Sequence, residues 1–227
     1  MSNTVLVIGE SGSGKSTSMR NLDPKTTFII NVIGKNLPFK GYKKYYKKIT
    51  SWDDKEGNYF CSDDWAKIVK CIQVVDENRP EITTIIVDDW QYIISYEYMR
   101  RIHEKTSVYD KFAEFAYHGW ATFNALKSTR ENLTSIVLTH NEIDTDGISK
   151  LKTMGKLLKE KLTIEGIFDT ILHTHVSNGE YFFQTQTDEN SIARSNIGMF
   201  DNKLIPNDLL AVKKAVESYY NDEETKE

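Results

Sequence analysis

The chain has 227 residues, 39% hydrophobic and 27% charged, with a formal net charge of -4. This length and composition fit one globular domain with a sizeable core, and the acidic balance means that any case for nucleic-acid binding must rest on local patches. No run of about 18 apolar residues is present, so no membrane span is expected, and the start, MSNTVLVIGE, has no basic leader region. Cys61 and Cys71 form no Cys-x-x-Cys pair, which fits a reducing cytoplasm.

The apolar runs follow a strand–helix–strand rhythm. Thr4 to Ile8 predicts a buried strand, followed by a glycine-rich loop and a short helix from about Lys15. Thr27 to Val32 predicts a second strand. A long loop then carries KGYKKYYKK, residues 40–48. A helix is expected over Asp63 to Asp76, with Trp65, Ile68, Val69, Ile72 and Val75 on one face. Ile82 to Val87 predicts a third strand, Gln91 to His103 and Lys111 to Arg130 two helices, and Ser135 to Thr139 a fourth strand. A polar, lysine-bearing stretch follows, then a helix over Lys156 to Leu162. Phe168 to Val176 and Tyr181 to Thr187 predict two strands joined by the hairpin signal SNGE. The last helix starts near Pro206-Asn207-Asp208. The expected architecture is a single α/β domain over residues 1–220, followed by an acidic tail over 221–227. Its central sheet is mostly parallel, with helices on both faces and a C-terminal antiparallel hairpin.

Gly9-Glu10-Ser11-Gly12-Ser13-Gly14-Lys15-Ser16 matches G-x-x-x-x-G-K-[ST] between a strand and a helix. Glycines let backbone N–H groups turn inward around phosphate oxygens, and the new helix adds its positive end. Lys15 is expected on the outer phosphates and Ser16 on Mg2+, with Thr17 beside it. Ile85-Ile86-Val87-Asp88-Asp89 supplies the acid-ended partner strand. Asp88 is expected to hold the metal and Asp89 to orient or deprotonate an attacking water. His140, at the tip of the fourth strand, is the candidate γ-phosphate sensor. Arg194 is the candidate basic residue completing a neighbouring subunit's site. The guanine-binding N-K-x-D motif is absent, and the six arginines are scattered, which argues against a GTPase and against a lid-bearing kinase.

The chain resembles the phage RecA-like, AAA-family ATP-binding proteins of the Sak single-strand annealing type. The resemblance is carried by Gly9–Val32, GKNLPFKGY at Gly34–Tyr42, TTIIVDDWQYI at Thr83–Ile93, Leu151–Leu172 and IPNDL at Ile205–Leu209. One departure is Ile33, where such proteins often carry Asp. The resemblance implies a RecA-like P-loop core, Mg2+-dependent ATP hydrolysis, action on single-stranded DNA during phage recombination, a single-strand DNA-binding protein as partner, homo-oligomers, and a host bacterial cytoplasm.

Two segments are candidates for the DNA. Lys40, Lys43, Lys44 and Lys47 supply cations, and Tyr42 and Tyr45 supply faces for bases. The alternative is a solvated edge strand whose lysines prevent sheet-to-sheet association. Lys150, Lys152 and Lys156, in the loop after the fourth strand, form the second candidate, against a plain solvated loop. The rival functions are a nucleotide-metabolism kinase, needing a small acceptor pocket, and a non-catalytic ATP-dependent loader.

Overall fold

The computed structural model describes residues 2–153 and 163–221. The helix expected over 156–162, with Lys156, and the acidic tail lie outside these residues. The strands are β1 (Asn3–Ile8), β2 (Thr27–Asn31), β3 (Tyr59–Cys61), β4 (Thr84–Asp88), β5 (Thr134–Thr139), β6 (Asn141–Ile143), β7 (Ser149–Leu151), β8 (Thr170–Ser177), β9 (Glu180–Gln184) and β10 (Leu204–Pro206). The helices are α1 (Tyr42–Tyr45), α2 (Trp65–Asn78), α3 (Gln91–Arg100), α4 (Val108–Lys127) and α5 (Leu209–Asn221), with short 3-10 turns at Ser16–Asn21 and Ile164–Ile167.

The main sheet runs β10-β9-β8-β1-β5-β4-β2-β3. From β8 to β3 the neighbours are parallel, while β9 and β10 are antiparallel additions. The α/β class and C-terminal hairpin are as the sequence implies. Ser177 pairs with Glu180 across Asn178 and Gly179, both at positive φ, which is what a two-residue hairpin of right-handed twist demands.

The central strands are buried on both faces, so each alternates between two cores. Leu6, Ile8, Phe28, Ile30, Ile85, Val87 and Val137 face α2, α3 and α4. Val5, Val7, Ile29, Ile86, Ile136 and Leu138 face Met19 and Leu22 on one element and Leu209, Val212 and Val216 of α5 on another. Helices are thereby required on both sides. Starts are capped by short polar side chains: Asp64 accepts from the backbone of Ala66 and Lys67 at α2, Ser107 from Asp110 at α4, and Asp208 from Leu210 at α5.

Three expectations change. The segment after the phosphate loop is one 3-10 turn, ended before Pro24; Ser, Thr and Asn are weak helix formers, and the residue before proline leaves the helical region. KGYKKYYKK, expected within a long loop, contains a helical turn: Gly41 takes φ 80° and starts α1. The polar stretch after β5 is an ordered two-stranded hairpin, β6–β7. The three-residue β3, beside β2, is too short to show a period of two.

Trp90 is fully buried, and its indole N–H donates to Thr122 Oγ1 at 2.7 Å, joining β4's end to α4. Thr122→Val keeps the shape but leaves the donor unpaired, and is expected to lower stability by about 1–3 kcal/mol, read as a lower urea midpoint with unchanged slope.

Candidate functional site

The carboxyl ends of β1, β2, β4 and β5 lie side by side, and the loops that leave them meet, as open parallel sheets arrange their ligand crevices. The first loop, Gly9 to Ser16, follows β1. Gly12 and Gly14 sit at φ 79° and 93°, a conformation only glycine adopts freely. The loop is anchored by its own polar groups. Ser13 N and Oγ both bond to Glu10 O, and Thr174 Oγ1 of β8 donates to Ser13 Oγ at 2.8 Å.

Lys15 is buried, and its Nζ donates to the carbonyls of Gly9 and Glu10, each at 2.7 Å. Burial lowers its pKa to about 8, against the pull of Asp89 and Asp88. Ser16 Oγ donates to Asp88 Oδ1 at 2.9 Å. Asp88 is completely buried, and its Oδ2 makes no hydrogen bond. Burial, reinforced by the charge of Asp89, pushes the Asp88 carboxyl well above the usual carboxylate range.

Asp89 is buried at φ 65°, a left-handed conformation that aspartate tolerates. Its carboxylate pairs with Lys35, and His140 Nε2 lies 3.5 Å from Oδ1. Burial opposes the Asp89 charge, but His140 and Lys35 more than offset it and hold the pKa below normal. For Lys35, burial is likewise outweighed by Asp89, which raises its pKa.

Ser16 meets Asp88, Asp89 meets His140, and Lys15 lies within electrostatic reach of both carboxylates. Lys35 is a residue that sequence reasoning missed. Asn31, at the end of β2, places it: its amide donates to Lys35 O and accepts from Gly34 N, each at 2.8 Å. Gly34 has φ 71°. The signal was the Gly-Lys-Asn that follows β2. Gln91 was also missed. Its Oε1 accepts from Thr139 Oγ1 at 3.0 Å and His140 N at 3.1 Å, so α3 pins the tip of β5.

The buried, under-bonded Asp88 carboxyl beside a serine hydroxyl fits a divalent cation, which would neutralise the charge that burial penalises. Loop glycines, Lys15 and Lys35 around one opening fit a polyphosphate. That opening, about 230 Å3, is lined by Ser11, Gly12, Gly14, Lys15, Ser16, Thr17, Lys35 and His140, among others. With only a 3-10 turn behind the loop, a long helix contributes no macrodipole here.

Arg194 is exposed and makes hydrogen bonds within its own chain. Its guanidinium donates to Glu165 O at 2.7 Å and Phe168 O at 2.8 Å, and its backbone pairs with Ile171. It lines a separate cavity of about 480 Å3 between β7 and the Ile164–Ile167 turn. In the lysine–tyrosine segment, Lys40, Lys43, Lys44, Tyr45 and Lys47 are exposed, and Tyr42 is half-buried. Lys43 and Lys44 lie 5.8 and 5.4 Å from the rings of Tyr42 and Tyr45. The Tyr42 hydroxyl donates to Asn36, the neighbour of Lys35. The edge-strand alternative holds only at Lys48, which bridges Tyr59. Lys150 pairs with Asp144, and Lys152 is exposed, its N–H donating to His140 O at 2.9 Å.

The sequence profile of a family described as AAA domain matches residues 1–197. The chain belongs to this family and carries an AAA-type P-loop NTPase domain. No curated protein sequence matches it. Among solved structures it is similar to the genome packaging NTPase B204 from Sulfolobus turreted icosahedral virus 2 in complex with ATP-gammaS, with 16% identity, TM-score 0.41, and coverage of 100% of this chain and 87% of that one. It is also similar to a prototypical ATPase from the type III secretion system of pathogenic bacteria, with 12% identity, TM-score 0.48, and coverage of 76% and 51%.

Lys15 gives a pH prediction. A bound phosphate favours the charged ammonium, so in the complex its pKa lies above the free value of about 8. Binding therefore takes up a proton above that pH. Affinity for Mg2+-free nucleotide, measured by calorimetry, is expected to fall by up to tenfold for each pH unit above about 8, roughly as linkage requires.

Proposed function

We propose that this AAA-domain protein binds and hydrolyses Mg2+-ATP and couples its nucleotide state to single-stranded DNA, in annealing or strand pairing during phage recombination. The observation that carries the nucleotide half is one opening lined by Lys15, Ser16, Lys35 and His140, behind which Asp88 accepts from Ser16 and Asp89 pairs with Lys35 beside His140. When bound, the nucleotide supplies the phosphoanhydride bond, and Mg2+ supplies positive charge against it. Ser16 and Asp88 would hold the cation, while the loop N–H groups, Lys15 and Lys35 would hold phosphate oxygens. Asp89 is a carboxylate held ionised beside them by Lys35 and His140, and is suited to orient a water or accept its proton. In the free chain Lys35 occupies it, so a phosphate that draws Lys35 away also exposes the carboxylate.

The DNA half is supported by the exposed Lys43, Lys44 and Tyr45 of α1. Cations beside a flat face suit a single strand. The Tyr42–Asn36 hydrogen bond ties that patch to the loop bearing Lys35. His140 likewise leads directly into β6, whose partner strand precedes Lys152. Both routes start at the phosphate opening, so ATP and DNA would raise each other's affinity by the same factor. A homo-oligomer and a single-strand DNA-binding protein as partner belong to this reading, as does a bacterial cytoplasm. No helix among the described residues is long and apolar enough to cross a membrane.

ATP hydrolysis with and without a single-stranded oligonucleotide tests the proposal. Stimulation by DNA is expected in the wild-type chain, weakening as salt rises, and is expected to vanish in Lys15→Ala. The double variant Lys43→Glu/Lys44→Glu should keep basal turnover, bind DNA more weakly, and lower the salt slope by about two. Turnover indifferent to DNA, with no DNA binding at low salt, would overturn the recombination reading in favour of a kinase or loader.

A further inference from the structure

Two cavities meet at the phosphate loop and share Gly12, Gly14 and Thr17. One holds the charged groups already described. The other, about 330 Å3, is completed by Arg20, Glu180, Tyr181 and Asn207, and the phosphate chemistry makes no use of it.

Its walls are of another kind. Asn207 is only 4% exposed, yet its Nδ2 makes no hydrogen bond. A buried amide donor without an acceptor costs about 1–3 kcal/mol. The backbone holds the residue in place instead: Asn207 N donates to Tyr181 O at 3.2 Å, and Asn207 O accepts from Arg20 at 2.7 Å. Tyr181, on β9, is 47% exposed. Gly14 touches both. A Cβ there would lie 2.9 Å from the Tyr181 ring and 3.2 Å from the Asn207 amide. Loop, ring and amide are thus in contact, with an aromatic surface and an unmet donor beside the phosphate cradle.

We propose that this cavity is the nucleobase subsite, taking a purine with Tyr181 against its face and Asn207 Nδ2 donating to a ring nitrogen. The inference rests on the nucleotide reading and adds what the loop motif lacks. Backbone N–H groups and lysines recognise phosphates and carry no information about the base. The two cavities adjoin the same loop residues, so a nucleotide with its phosphates in one would have its base within reach of the other. A purine offers unprotonated ring nitrogens as acceptors and a broad π-face for the tyrosine. Base recognition then comes from the C-terminal hairpin and the turn before α5, some 170–190 residues from the motif.

The test is calorimetric titration of the intact chain with Mg2+-ATP and, separately, with Mg2+ and inorganic tripolyphosphate. Tyr181→Ala and Asn207→Leu are expected to weaken ATP about tenfold, the scale of one lost base stack, while tripolyphosphate binds as it does to wild type. Lys15→Ala should weaken both ligands. The half-exposed Tyr181 can be truncated without opening the core, and an unchanged melting curve confirms folding. If Tyr181→Ala binds ATP as tightly as wild type, the base lies elsewhere and the subsite is overturned, while the Lys15→Ala result still upholds the phosphate site. If Lys15→Ala changes neither ligand, the nucleotide reading itself falls.

Discussion

Two adjacent buried carboxylates, Asp88 and Asp89, end the central strand β4, and the rest of the site is arranged around their charge. Two like charges a few ångströms apart repel by about 4 kcal/mol even at an effective dielectric of 20. The chain answers differently at each. Asp88 receives one serine hydroxyl and is left favouring its proton. Asp89 receives Lys35 and His140 and stays ionised. The pair is thereby split into a group waiting for a cation and a group already charged, which is how acid–base roles are commonly divided between neighbouring carboxyls.

That division depends on sheet order. Placing β4 between β5 and β2 brings His140 from one side and the Lys35 loop from the other. Placing β1 beyond β5 brings Ser16 and Lys15 to the same end. The C-terminal hairpin closes the far side of the phosphate loop through Thr174, Tyr181 and Asn207. Segments that are remote in sequence thus share one crevice, and the cationic helix α1 hangs from its rim through Tyr42.

Much of this was legible beforehand. The buried strands announced themselves as short apolar runs, and the loop motif named Lys15, Ser16 and, through its partner strand, Asp88. Lys35 was not legible in that way, because nothing local to Gly34-Lys35-Asn36 says that Asn31 will fold it back over Asp89. The ordered β6–β7 hairpin was hidden by polar residues, since a two-stranded ribbon needs no apolar alternation to pair its backbone. The helical turn inside the loop of KGYKKYYKK was not legible, because Gly41, in a left-handed conformation, decides the local geometry and the lysines do not. That Arg194 holds two carbonyls of its own chain was not legible either, because no local motif announces those contacts.

On the proposed function, Asp88 holds a cation carried by a polyphosphate. The affinity for ATP with and without Mg2+, in the wild-type chain and in Asp88→Asn, decides this. Mg2+ is expected to tighten wild-type binding at least tenfold, about 1.4 kcal/mol. The substitution is expected to remove this increment while leaving Mg2+-free binding nearly unchanged. Equal affinity with and without the metal in wild type, or an increment that survives Asp88→Asn, would contradict it.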